Sequence, residues 1–298
     1  MKISEKKFPL RPEEISRINE KVSLTGFIDT HIHSSPDIKP RIINDLEAAS
    51  QAKDEKMEAI ILKSHVEPTS SRALVAENVT GIRVIGGICL NLSVGGFNSH
   101  AVEVTSKMGG KFVWLPTISW PEMRKNVISN ESDFEDNFED INSLFKSSFY
   151  NESMESLLNI IAEDDMVLAT GHLNPAEIFQ VLDWARSSGV KRIVINHPLT
   201  GVVGASIEEQ KEMGKYAFLE HCFVACMPLH DQLRPEKIAE AIEYVGPKKC
   251  IMATDFGQIH NPEPVFGLKL FIESMLELGI NYKHINTMCS TNPRNLIY

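Results

Sequence analysis

Five ionisable side chains stand where short apolar runs end. His31 and His33 close GFIDTHIH (26–33), His172 closes MVLATGHL (166–173), His197 closes RIVINHPL (192–199) and Asp255 closes CIMATDFG (250–257). In extended chain, residues two apart point to the same side, so His31 and His33 present their imidazoles together. Imidazoles with a carboxylate are the ligand set of a zinc or iron site. One histidine at a strand end reads as a hydrogen-bonded interior residue; four histidines and an aspartate ending four runs read as a site. The chemistry expected is metal-assisted attack of water on a carbonyl or ring carbon. His31, His33 and His172 are the candidate ligands of a divalent ion, zinc by ligand type. The ion brings the pKa of its water from about 16 toward ~7. Asp255 completes the shell or hydrogen-bonds that water, takes its proton and passes it to the leaving group. His197 ligates a second ion or polarises the substrate carbonyl.

A second set of residues surrounds these. Lys63 and His65 end EAIILKSH (58–65) and, two apart, share a face. Lys63 reads as a clamp for a substrate carboxylate, with a carboxylated ligand or a plain ion pair as the alternatives. His65 is a substrate contact, an extra ligand or a surface-loop residue. Arg41 and Asn91 fall in loops near the same end and join Lys63 and His65 as candidate substrate contacts; Lys63 and Arg41 suggest an anionic substrate. Asp29 precedes the histidine pair and can orient an imidazole. His260 follows Asp255 closely enough to line the site, whereas the spacing of His221, His230 and His284 recruits none of them.

The elements that must position these groups form a repeating unit. Together with RVIGGICLN (83–91), KFVWLPTI (111–118) and FVACMP (223–228), the apolar runs number eight. They are nearly all apolar rather than alternating, as in parallel strands covered on both faces. Helices lie between them. Over 175–188, Asn174 caps, Pro175 opens and Ile178, Val181, Leu182 and Ala185 make one stripe. Helix 235–245 opens at Pro235 and stops at Gly246-Pro247, and helix 265–278 stops at Gly279. Eight strand–helix units predict one α/β domain over 1–298, a (β/α)8 barrel with its reactive groups at the C-terminal strand ends. A doubly wound sheet would place a glycine-rich phosphate turn after the first strand, where this chain has HIHSSPD. Residues 121–151, with the acidic stretch ESDFEDNFED, read as a solvated insertion, a lid or a subunit contact.

Composition narrows the function classes. The 298 residues carry 30 Lys plus Arg against 40 Asp plus Glu, a net charge of −10, which opposes general binding to nucleic acid or an anionic membrane. With 43% hydrophobic and 23% charged residues, the chain is composed to fold. No run approaches about 18 apolar residues, so no membrane span is expected. The charged N-terminus and five scattered cysteines fit a cytoplasmic protein with free thiols. Cys222 and Cys226 lack a second close pair for a structural zinc site, and Cys226 reads as core inside the seventh strand. A small-molecule substrate is the expected partner; a homo-oligomer is compatible.

On His31-Ile32-His33, His172, His197 and Asp255, and on the ending Asn292-Pro293-Arg294-Asn295-Leu296, the chain resembles the amidohydrolase superfamily over essentially its whole length. Within it, residues 29–37, 62–65, 86–91 and 254–258 are similar to a branch carrying Asp-x-His-x-His-x-x-Pro-Asp, Leu-Lys-Ser-His, Gly-Gly-x-x-Leu-Asn and Thr-Asp-x-Gly-Gln. The resemblance implies a metal-dependent hydrolase acting on an amide, lactone, ester or ring C–N bond, with non-oxidative decarboxylation as the alternative. Binuclear members bridge two metals with a carboxylated Lys or a Glu at the end of strand four. Here that strand ends Trp114-Leu115-Pro116-Thr117, which implies one ion. A phosphoesterase would pair the late aspartate with a histidine two residues on, where this chain has Gly257. A non-catalytic binding barrel would not need the intact ligand set.

Overall fold

The structure is a computed structural model and describes residues 12–119 and 148–298. The strands are β1 (Ile28–Ile32), β2 (Ala59–Leu62), β3 (Arg83–Ile85), β4 (Gly87–Cys89), β5 (Phe112–Trp114), β6 (Val167–Ala169), β7 (Arg192–Asn196), β8 (Phe218–Cys222) and β9 (Cys250–Ala253). All pairs are parallel, in the order β1-β2-β3 and then β4 through β9. β3 and β4 are one barrel strand broken at Gly86, where a Cβ would lie 2.6 Å from the Thr69 backbone. At the other seam the Asp255 amide donates to the His31 carbonyl and the His33 amide to the Phe256 carbonyl, both at 2.8 Å. Ile32 and Phe256 thereby form a parallel bridge. The result is the expected (β/α)8 barrel.

Helices α1 (Pro12–Lys21), α2 (Asp45–Asp54), α3 (Ser70–Thr80), α4 (Ser99–Lys107), α5 (Ser148–Glu163), α6 (Pro175–Ser187), α7 (Ile207–Met213), α8 (Pro235–Val245), α9 (Pro264–Glu277), α10 (Tyr282–Asn286) and α11 (Asn292–Ile297) complete the described chain. α6 starts as the sequence dictates: Asn174 and Glu177 form a reciprocal capping box ahead of a buried stripe of Ile178, Val181, Leu182 and Ala185. Inside the barrel, Ile28, Ile61, Phe112, Trp114 and Ile251 form one apolar cluster, joined by Leu296 and Ile297. The Asn292 amide donates to the Pro247 and Cys250 carbonyls, so the Asn-x-x-x-Leu ending fastens a plug across the strand starts.

The expected strand at 223–228 is corrected. The seventh barrel strand is β8, and residues 223–226 form a tight helical turn behind it. Phe223 is apolar because it stacks on Phe271 at 4.8 Å. The strand itself, FLEHC, carries a glutamate and a histidine, which hid it from an apolar-run reading. Cys226 therefore lies after the strand, not within it. Most of the acidic segment 121–151 lies outside the described residues; its last residues open α5. No helix among the described residues is long and apolar enough to cross a membrane.

Candidate active site

β1 delivers His31 and His33 to the barrel mouth on one side, as the two-residue spacing predicts. Both Nε2 atoms approach one carboxylate oxygen, Oδ1 of Asp255, at 3.3 Å from His31 and 3.1 Å from His33. Asp255 reaches that position through a left-handed backbone, φ +56°. His33 stacks on His65 at 4.6 Å between ring centroids. His172 and His197 lie 4.9 Å apart, and His197 is 6.1 Å from His31. The close packing of the mouth is set by glycine at two points. A Cβ on Gly171 would meet the Leu115 carbonyl oxygen at 2.2 Å, and one on Gly257 the His33 carbonyl oxygen at 1.8 Å; both have positive φ.

The largest addition to the expected residues is Glu220, from the middle of β8. Its buried carboxylate accepts from Thr30 Oγ1 at 2.5 Å, from Asn196 Nδ2 at 2.7 Å and from His31 Nδ1 at 2.9 Å. Burial pushes this carboxyl up, but His31, Thr30 and Asn196 together hold it below the ordinary range. An ionised Glu220 fixes the His31 proton on Nδ1 and leaves the Nε2 lone pair facing the mouth. That lone pair meets Asp255 Oδ1 and, at 3.1 Å, Lys63 Nζ. The cation beside them in the structure is the Lys63 ammonium. The signal available in sequence was a glutamate within a strand segment, a position burial forbids unless the charge is partnered.

The His197 tautomer follows from its partners in the same way. Thr200 Oγ1 uses its proton on the His197 carbonyl at 2.8 Å, so Nδ1 donates to Thr200 Oγ1 at 3.0 Å and Nε2 is an open acceptor. Burial pushes His33 down to about 3 and His197 down to about 4, and holds His65 and His172 well below their usual range. These imidazoles are therefore neutral at pH 7, the form that ligates metal. Nδ1 of both His33 and His172 is buried without a hydrogen-bond partner among the described residues. Burial also pushes Asp255 up, yet the histidines around it, His31 first, bring it well below the usual carboxylate range.

Among the described residues, His31, Cys222 and Asp255 offer donor atoms within 4.8 Å of one another. Cys222 Sγ sits 3.7 Å from His31 Nδ1, the side Glu220 occupies, and burial holds its thiol protonated. The chelating face is therefore the Nε2 side of the histidine pair, with Asp255. Behind it, Asp29 accepts from Thr254 Oγ1 at 2.6 Å and from the Thr254 and His31 amides, and burial pushes its carboxyl up to about 7.

The outer residues divide. Lys63 is buried over the Trp114 ring, 5.6 Å from its centroid, and no carboxylate pairs with it among the described residues. His65 is half-buried at the mouth, stacked on His33 and hydrogen-bonded to Thr117 at 2.8 Å, so it is not a free surface-loop residue. Arg41 faces the site but is held by Asp37 through two hydrogen bonds. Asn91 donates to the His65 carbonyl and Thr117 Oγ1 and accepts from the Thr117 and Ser119 amides, so its amide braces two mouth loops.

A parallel barrel with a His-x-His pair on its first strand, histidines after β6 and β7 and an aspartate after β9 defines an amidohydrolase-type fold. Solved structures agree. The chain is similar to an amidohydrolase from Pseudomonas aeruginosa, at 14% identity and TM-score 0.60, covering 97% of this chain and 98% of that one. It is also similar to organophosphorus hydrolase from Deinococcus radiodurans, at 10% identity and TM-score 0.58, covering 93% and 94%. A third match, a Pseudomonas putida protein assigned as a 2-pyrone-4,6-dicarboxylic acid hydrolase, has 14% identity and TM-score 0.58, covering 93% and 98%. Within this fold the chain belongs to the family of unknown function DUF6282, whose model matches residues 26–220. No curated protein sequence matches it.

Proposed function

We propose that the protein is a metal-dependent hydrolase of a small molecule, with one divalent ion held by His31, His33 and Asp255 and supported by His172 and His197. The observation that carries this reading is the convergence of His31 Nε2 and His33 Nε2 on Asp255 Oδ1, at 3.3 Å and 3.1 Å, with His31 held from behind by Glu220. Neutral imidazoles, an ionised carboxylate and nitrogen donors suit zinc. Such an ion supplies Lewis acidity, polarising a carbonyl and acidifying water.

The chain's own residues do the rest. Asp255 is ionised at neutral pH and accepts the proton of the attacking water at its free oxygen, then returns it to the leaving group. His197, protonated on Nδ1, cannot donate from Nε2 and so acts as a ligand, not as the group that polarises the carbonyl. The absence of a carboxylate or lysine at Trp114-Leu115-Pro116-Thr117 favours a single ion. Lys63, buried without a carboxylate partner, pairs with an anionic group of the substrate, and the negative chain elsewhere places that charge selectively at the mouth. The same barrel would serve decarboxylation of an anionic substrate, and carbon dioxide release separates the two reactions.

The test is elemental analysis of protein reconstituted with zinc, followed by a panel of lactones, esters, amides and cyclic C–N substrates with and without a carboxylate. One ion per chain and turnover favouring carboxylated members support the reading. Two tight ions, or an inert metal-loaded protein across the panel, count against it.

A further inference from the structure

Outside the barrel site a second pair of imidazoles converges at the rim. His230 lies in the loop after β8 and His260 in the loop after β9. Their Nε2 atoms are 3.3 Å apart. That is long for a hydrogen bond between two ring nitrogens. In any pair of neutral tautomers, at most one such bond joins them. The Asn261 amide also approaches His230 Nε2, at 3.2 Å, so one lone pair faces two donors. The spacing matches something else. Two nitrogens bound to one tetrahedral ion at about 2.0–2.1 Å lie about 3.3–3.4 Å apart. His260 is exposed and His230 half-buried, so the remaining positions around an ion there open to water.

The surroundings are built to hold the pair. The His230 amide donates to the Met227 carbonyl at 3.1 Å, and the Asn261 amide nitrogen to the Gln258 carbonyl at 3.0 Å. Buried Asn261 donates through Nδ2 to Gln258 Oε1 at 2.8 Å, and Gln258 Nε2 donates to the Asp255 carbonyl at 3.0 Å. Burial lowers the His230 pKa, favouring its neutral form. The chain of bonds thus runs from the rim imidazoles to the backbone of Asp255.

We propose that His230 and His260 form a second binding site for a borderline transition-metal dication, Zn²⁺ by the tetrahedral spacing, with Cu²⁺ as its spectroscopic stand-in. The chain supplies two imidazoles and the other positions are left to water or an anionic group of a ligand. Imidazole pairs select these ions over Mg²⁺ and Ca²⁺, which prefer oxygen. An ion there joins the loops after β8 and β9 above the mouth. This site stands independently of the hydrolase reading.

The experiment is Cu²⁺ titration of the chelator-stripped full chain by calorimetry, with electron paramagnetic resonance of the bound ion. Wild type should show a step that His260→Ala and His230→Ala each weaken at least about tenfold. The nitrogen couplings of that ion should fall from two to one. The His31→Ala/His33→Ala variant should keep this step, so failure of the barrel site leaves the rim site readable. His260 is exposed, so its replacement does not touch the core; circular dichroism checks each fold. A rim step that survives both single variants, or wild type that binds no ion the rim variants alter, overturns the proposal.

Discussion

Replacing Glu220 by Gln isolates how the barrel prepares His31. The carboxylate accepts three hydrogen bonds, from Thr30, Asn196 and His31, in a position closed to solvent. Glutamine keeps the shape but has one accepting oxygen and a donating NH2 group. Even with the Thr30 hydroxyl turned to accept from that NH2, the bonds from His31 and Asn196 lose their charged acceptor. Hydrogen bonds to a charged group are each worth about 1.5–3 kcal/mol, so Glu220→Gln should lower folding stability by roughly that amount. If the NH2 group turns to His31 instead, the His31 proton moves to Nε2 and blocks the face that meets Asp255. Loss of such a support costs about 10–100-fold in metal affinity, or about 1.4–2.7 kcal/mol. The assay is zinc competition against a chromophoric chelator, run beside urea denaturation of the zinc-free protein. A Glu220→Gln variant that binds zinc and resists urea like wild type refutes the claim that this carboxylate sets the His31 tautomer.

Three further outcomes are expected. His31→Ala/His33→Ala should lose the barrel metal and all turnover while circular dichroism still reports a folded barrel, because a core this large does not depend on one site. Asp255→Asn should retain part of its metal but lose at least about 10²-fold in turnover on any substrate found, the lower end of general-base catalysis; near-normal turnover with metal retained removes Asp255 from proton transfer. His221 is buried with neither ring nitrogen partnered among the described residues, and burial pushes it down to about 4 from 6.5. Its neutral form is favoured by folding, so its contribution is complete above pH 6.5 and is lost as pH falls toward 4. Between pH 7.5 and pH 5 this amounts to about 2 kcal/mol. Comparing urea midpoints at the two pH values, His221→Leu should show a smaller drop than wild type, and equal drops would exclude this group.

Much of the architecture was legible because parallel strands must be apolar on both faces. Seven strand positions and helices such as α6 announced themselves by runs, caps and stripes. The histidine pair and Asp255 were legible for the same reason: a polar residue ending an apolar run needs a function. Glu220 was not, because its strand contains the very charges that break the pattern, and only the three-dimensional partners show how the charge is held. The converse held for 223–228, apolar for packing against α9 and not for pairing in a sheet. The two outer residues Arg41 and Asn91 could be placed near the mouth from sequence. Their ties, to Asp37 and to two loop backbones, depend on contacts no spacing encodes.

The seam between β1 and β9 carries a consequence for how the molecule tolerates change. The links that join the last strand to the first pass through Asp29 with Thr254, His31 with Asp255 and His33 with Phe256. The residues proposed to do chemistry are thus also the hoop that keeps the stave wall shut. Two of those links are main-chain bonds, so replacing the side chains of His31, His33 or Asp255 spares them, whereas a backbone shift in β1 or β9 moves site and seam together. Amide exchange at His33 and Asp255 should therefore respond to ligands of the mouth before any other part of the wall does.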